Sequence, residues 1–266
     1  MVDLSHSFSR EEIAPILVVS LVSALRLLGI FLMLPIFSAY AMRYPGASTA
    51  LAGVAFGIYA LVQCVLQIPL GWASDRWGRR PVLIIGLALF CLGSIACALA
   101  ENITGLILGR ALQGTGAVGS VAFAALADLT RPSVRAQAYT IIGIAIGASF
   151  MAGLLGGPFL AAKIGFDGLF YVLASLGILS ILLAATSFPP ERRREPSESP
   201  MALRLIITDQ GLRPIFIATF VLSFALNLFF FTYPLSWIEI GFDKAQLWQV
   251  YLIIFLPSVL FVFPYM

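Results

Sequence analysis

An all-α integral membrane protein is what this sequence predicts, and three observations carry the prediction. Hydrophobic residues make up 60% of the 266-residue chain and charged residues only 11%, where a soluble domain usually carries ~25%. The apolar residues fall in long unbroken runs of about 20 residues, enough to cross ~30 Å of hydrocarbon as a helix. Those runs exclude a membrane barrel, whose strands need only ~10 residues of alternating polarity.

The runs place eight spans at 13–41, 50–71, 81–100, 104–126, 137–162, 168–188, 214–236 and 247–264. The first run is too long for a signal-peptide core and no small-x-small cleavage site ends it, so it is expected to be retained as a span. The last run is still apolar at Met266, and the chain reads as part of something longer. One long polar segment, Pro189 to Arg213, is rich in Pro, Ser, Glu and Arg, a composition that cannot build a packed core. The expected organisation is therefore a six-helix bundle over 1–188, a cytoplasmic linker over 189–213 and the first two helices of a second bundle over 214–266.

Basic residues set the orientation. Arg10, Arg76, Arg79, Arg80, Arg131, Arg135, Arg192, Arg193, Arg194, Arg204 and Arg213 fall on one side, and Arg43, Lys163 and Lys244 on the other. This bias puts the amino terminus and the segment around Asp75 in the cytoplasm. With the positive charge concentrated in a few connecting segments, no nucleic-acid partner is expected. Lipid is the surrounding solvent, and a monomer is expected.

The stretch from Gly71 to Pro81 packs Asp75, Arg76, Arg79 and Arg80 between two spans. So short a connection makes the spans antiparallel neighbours, with Pro81 in the first turn of the second. Asp128 ends the fourth span on the same side, so Asp75, Arg79 and Asp128 are placed to meet. Two carboxylates around one guanidinium form a network that can break and re-form as helices shift. Ordinary interfacial charge, set by topology alone, is the competing reading.

Arg26 and Arg110 lie inside spans. An arginine at that depth stays charged and needs acceptors, so each should face the bundle interior or a hydrated cavity. They read as the wall of an electropositive cavity that holds substrate or answers a moving proton, or else as braces between helices. Gln113 and Gly114 follow Arg110, and Tyr59 and Gln63 share a helical face. Together with Gln67 and Asn227 they are candidates for the same cavity lining, with inter-helix hydrogen bonding as the alternative. All acidic residues fall at span ends or in connections, and the one histidine is His6. Proton coupling would therefore use Asp75, Asp128 or a group elsewhere in the whole protein.

Gly143-x-x-x-Gly147 and Gly153-x-x-x-Gly157-Pro158 mark a fifth span that approaches its neighbours closely, with Pro158 permitting a bend. Cys64, Cys91 and Cys97 read as small buried hydrophobes without metal-ligand spacing. No phosphate-binding Gly loop or catalytic dyad occurs, so no enzyme, cofactor or bound metal is expected.

The pattern Gly71, Asp75, Arg76, Gly78, Arg79 and Arg80 resembles the signature between the second and third helices of the major facilitator superfamily. Gly109-Arg110-Ala-Leu-Gln113-Gly114 is similar to its fourth-helix motif, and Gly153-x-x-x-Gly157-Pro158 to its antiporter motif. Ala161 and Ala162 stand where the antiporter motif usually continues with glycines. The resemblance implies a twelve-span carrier of two six-helix halves working by alternating access. It implies that Asp75, Arg79 and Asp128 latch the outward-facing state, with Asp75 also facing a helix end of the second half. Arg110 and Arg26 would answer proton movement or substrate charge.

Three functions follow as expectations. The first is a proton-coupled drug-type efflux antiporter in a bacterial inner membrane. The second is an importer or exchanger of small organic anions on the same fold, and the third a non-transporting membrane sensor or scaffold.

Overall fold

The structure, a computed structural model, describes residues 8–116, 118–188, 208–242 and 247–262. Most of the expected linker, 189–207, lies outside the described residues. The elements are α1 (Arg10–Met33), α2 (Phe37–Ala41), α3 (Thr49–Trp77), α4 (Arg79–Ala98), α5 (Ile103–Gly114), α6 (Gly119–Asp128), α7 (Arg135–Ser187), α8 (Arg213–Glu239) and α9 (Leu247–Val262). No strand occurs among the described residues. Among those residues five helices, α1, α3, α4, α7 and α8, are long and apolar enough to cross a membrane.

The eight expected runs fall on helices with changed outlines. The run 13–41 is divided into α1 and α2 around Pro35, which has no N–H to continue the ladder. The run 104–126 is divided into α5 and α6 at Thr115 and Gly116, where a Cβ on Gly116 would lie 2.5 Å from the Gly86 carbonyl oxygen. α7 holds two expected spans. Its 53 residues would measure ~80 Å as one straight helix, far beyond ~30 Å of hydrocarbon. The chain turns at Gly165, whose φ of 78° and ψ of 171° interrupt the helical dihedrals, leaving limbs 135–164 and 166–187.

The segment 71–81 differs most from expectation. α3 runs on through the charged residues to Trp77 and α4 starts at Arg79, so the connection is Gly78 alone. Its φ of 99° reverses the chain in one residue, a conformation that side-chain-bearing residues rarely adopt. Asp75 and Arg76 thus close one helix while Arg79 and Arg80 open the next.

Polar contacts sort the helix ends into two faces. Glu12 meets Arg131, Arg79 meets Asp128, and Arg80 donates to the Ala185 carbonyl. The starts of α1, α4 and α7 and the ends of α3, α6 and α7 therefore share one face. On the opposite face the Ile103 N–H donates to the Pro45 carbonyl, and Tyr44 donates to Asp167 at 2.9 Å. Burial, and then that hydrogen bond, push the Tyr44 phenol above its usual range.

The core has two apolar clusters. One gathers Ile16, Val19, Leu83, Leu126, Ala138 and Phe188 toward the Asp75 face. The other gathers Phe37, Phe90, Ile103, Phe166, Leu169 and Phe170 toward the far face. α1 packs chiefly on α7, and α4 on α5 and α7. α8 and α9 join the far cluster through rings, with Phe150 6.0 Å from Phe230 and 5.9 Å from Phe255. Tyr251 of α9 donates to the Pro35 carbonyl at 3.0 Å, using an acceptor freed by the break between α1 and α2.

Glycines permit the closest approaches, though not all those the sequence suggested. A Cβ on Gly157 would sit 2.1 Å from the Leu32 carbonyl oxygen, and one on Gly153 would sit 2.6 Å from Phe31 Cβ. Gly143 and Gly147 have nothing within 4 Å of that position. They lie on the exposed face of the same limb, so the spacing is present without the contact. Helical structure continues through Pro158. Cys91 and Cys97 are buried as expected, but Cys64 is exposed, because it lies on the outer face of α3.

Candidate functional site

Two polar assemblies interrupt this apolar interior. The first lies at the Asp75 face. Arg79 is an α4 residue in its helix's first turn, aimed back at the end of α3 by the reversal at Gly78. Its Nη2 lies 2.5 Å from Asp75 Oδ1 and its Nε 3.0 Å from Asp128 Oδ2. Nη1 donates to Ser74 Oγ at 2.5 Å, and Ser74 donates to the Gly71 carbonyl at 2.6 Å. A Cβ on Gly71 would lie 3.6 Å from Ser120 Oγ, an ordinary contact distance, where α3 passes α6. One guanidinium thus ties α3, α4 and α6 together, using the planar fork that arginine alone offers. Arg80 ties α4 to the end of α7 through the Ala185 carbonyl, while Arg76 is exposed.

The second assembly lies between the two apolar clusters. Arg26 of α1 is 3% exposed. Its Nη2 donates to Tyr59 Oη at 3.1 Å and to Gln63 Oε1 at 3.0 Å. Tyr59 in turn donates to Gln63 at 2.5 Å. Arg110 of α5 is 4% exposed and donates through Nη1 to Gln113. Gln113 donates to Ser94 Oγ at 2.8 Å, and Ser94 donates to the Phe90 carbonyl. The Arg110 guanidinium also lies 4.5 Å from the Tyr59 ring centroid and 5.1 Å from that of Phe37, an arrangement in which ring quadrupoles favour a cation.

Tyr59 therefore stands between two cations, bonded to one and facing the other. Every hydrogen-bond acceptor given to these cations is neutral, and among the described residues neither cation forms an ion pair. Buried charge without a counter-charge is expensive, and so large a local excess of positive charge favours an anionic group nearby.

Residues 19–266 match the family described as Major Facilitator Superfamily. The chain belongs to that superfamily. It is 38% identical over 235 residues to the inner membrane transport protein YajR of Escherichia coli, covering 87% of this chain and 52% of that protein. It is 33% identical over 207 residues to the multidrug resistance protein MdtL of Escherichia fergusonii, covering 75% and 52% respectively. Among solved structures it is similar to a bacterial homolog of the human lysosomal transporter Spinster, in an inward-facing and unoccupied conformation. That likeness has a TM-score of 0.74 at 16% identity, over 91% of this chain and 59% of the other. The chain spans about half the length of the curated relatives it matches.

Within this superfamily chain, the sequence-derived candidates divide clearly. Asp75, Arg79 and Asp128 are brought together, and so are Arg26, Tyr59 and Gln63. Arg110 and Gln113 pair directly, and Gly114 lets α5 reach α3, since a Cβ there would lie 2.6 Å from the Tyr59 carbonyl oxygen. Gln67 stands apart from the arginines, its backbone carbonyl accepting from Ser120 at 2.9 Å. Asn227 is exposed and donates to Ser223 of its own helix.

Sequence reasoning missed Ser94, Phe37 and Phe90, and it missed Glu12. Glu12 reaches back to the Ser9 N–H at 2.9 Å and accepts from Arg131 Nε, Nη2 and backbone N, each at 3.0 Å. These bonds hold the Arg131 guanidinium above its usual pKa. The Ser-x-x-Glu spacing of a capping box was the available signal.

Proposed function

We propose that this chain is part of a secondary active transporter that moves small molecules across the bacterial inner membrane by alternating access. In this reading it works as a proton-coupled, drug-type efflux antiporter. The observation that carries the reading is Arg79 held between Asp75 and Asp128. These contacts join three helix ends at one face, at least partly open to water, so they can exchange for others as helices move. Asp75, Arg76, Gly78, Arg79, Arg80, Asp128 and Gly71 act as the conformational latch. Arg26, Arg110, Gln113, Gly114, Tyr59, Gln63 and Asn227 act in coupling or at the substrate cavity. Gly153, Gly157 and Pro158 set the packing about which the fifth span moves. Residues 1–188 act as one six-helix half, 189–213 as the linker and 214–266 as the start of the second half. The amino terminus and the latch face the cytoplasm, the coupling ion is the proton, and the protein works as a monomer. The name of YajR, an inner membrane transport protein, supports transport, and that of MdtL, a multidrug resistance protein, supports drug-type solutes.

The deciding experiment is flux in proteoliposomes under an imposed pH gradient, using the full-length protein. Gradient-driven movement of amphipathic cations supports the reading, and movement of no solute defeats it in favour of a sensor or scaffold. A second reading is exchange or import of small organic anions, favoured by the neutral partners of both buried arginines. Flux of organic anions in place of lipophilic cations would select it.

A further inference from the structure

We propose that a second, smaller site beside Arg26 binds a monovalent inorganic anion of halide size. A cavity of about 30 Å³ lies between α1, α4, α6 and α7, with Ser23, Arg26, Leu83, Gly119 and Phe123 among its walls. No residue of α3 lines it, so it is distinct from the place where Arg26 meets Tyr59 and Gln63. The Arg26 guanidinium spends Nη2 on those two residues, while its Nε is buried without a partner.

Ser23 lines the same cavity, and its buried hydroxyl has no partner. Ser20 precedes it by three residues on the same face of α1, and its hydroxyl is likewise unpartnered. Other buried helical serines divide, since Ser38 of α2 is also unpartnered. Ser94, Ser149 and Ser180 each donate to the carbonyl four residues back, the ordinary way for a helix to satisfy a hydroxyl in an apolar setting. The α1 serines leave their donors available.

Charge and size select the occupant. The Arg26 N–H is donor-only and carries a full positive charge, and a serine hydroxyl turns to donate beside it. Val22, Leu27, Leu83, Val118, Ala122 and Ile146 make the remaining wall largely apolar. A halide there would take the unpartnered donors of Arg26 and Ser23, both lining residues, and offset a buried cation that forms no ion pair among the described residues. At about 30 Å³ the cavity exceeds the ~10–15 Å³ that a buried water needs and leaves little room for an organic acid with its carbon chain. Phe123, 42% exposed at the rim, places the cavity next to an accessible surface. The site does not depend on which solute the protein carries.

The test measures binding rather than transport, so its result is separable from that of the flux assay. The full-length protein in detergent is unfolded thermally in chloride, bromide and gluconate salts at equal ionic strength. A saturable rise in Tm in both halides over gluconate is expected, together with anomalous bromide density in this cavity. Ser23→Ala and Arg26→Lys should each lose the halide shift, the second while keeping its positive charge. Equal Tm values for the wild type in all three salts overturn the proposal. So does a halide shift that survives in both variants, or a cavity holding water alone in bromide-soaked crystals. The wild-type bromide arm decides the matter even if a variant fails to fold.

Discussion

Arg79 donates its Nε–H to Oδ2 of Asp128 at 3.0 Å, across 49 residues of sequence, while the same guanidinium holds Asp75 in the preceding turn of chain. Neither carboxylate is deeply buried, with side-chain exposures of 37% for Asp75 and 25% for Asp128. Exposed pairs contribute little to stability. This pairing is therefore better placed to switch than to hold the fold together.

The first prediction follows from that balance. Asp75→Asn should lower transport by at least an order of magnitude, since hydrogen bonds to charged groups differ from neutral ones by ~1–2 kcal/mol. Arg79→Lys should do the same, because a point ammonium cannot span both carboxylates. Membrane insertion and thermal stability should stay near wild type in both. Flux assays paired with quantified membrane protein check this, and full activity in Asp75→Asn removes the latch.

A second prediction concerns Arg110, which sits on the rings of Tyr59 and Phe37 and donates to Gln113. Arg110→Ala should stop transport or make it insensitive to an imposed pH gradient. Arg110→Lys should not restore coupling, because the guanidinium's ring contacts and fixed fork are lost together. Flux measured over a range of gradients decides between these outcomes, and an unchanged pH dependence excludes Arg110 from coupling.

Glycine supplies a third. Gly157→Ala places a methyl group 2.1 Å from the Leu32 carbonyl oxygen, so α1 and α7 must separate. A destabilisation of about 2–3 kcal/mol is expected, as for other overpacked sites. Gly143→Ala, where nothing lies within 4 Å, should be neutral or slightly stabilising because alanine favours helix. Thermal unfolding of the two variants in one detergent makes the comparison, and equal Tm values would contradict it.

That contrast also shows where sequence reading stops. Both glycine pairs have the same spacing, and spacing alone does not say which helical face meets a neighbour. The meeting of Asp75, Arg79 and Asp128 was legible because topology brings those span ends to one membrane face. Arg26 with Tyr59 and Gln63 was legible in part, since an intramembrane charge demands acceptors and the i, i+4 pair offers two. The short connection was misjudged because charge was equated with loop. At a membrane surface a helix continues through charged residues, and Gly78 supplies the reversal by itself. Ser94, Phe37 and Phe90 were out of reach because they join the Arg110 cluster only through the packing of α2, α4 and α5.

The fourth prediction uses the asymmetry between Glu12 and Arg131, whose side chains are 8% and 50% exposed. Glu12→Ala releases a guanidinium that water can solvate, so its cost should be modest. Arg131→Ala removes both guanidinium hydrogen bonds to a buried carboxylate and leaves that charge with two backbone donors and the Ser9 side chain. An under-satisfied buried group costs ~1–3 kcal/mol, and more when charged. Arg131→Ala should therefore destabilise more than Glu12→Ala, and adding Glu12→Ala to it should restore part of the loss. Thermal melts of the wild type, the two single variants and the double variant close a double-mutant cycle that measures this coupling. If Glu12→Ala proves the more damaging change, Glu12 matters chiefly as the cap of α1, through Ser9, and its tie to the connection before α7 is incidental.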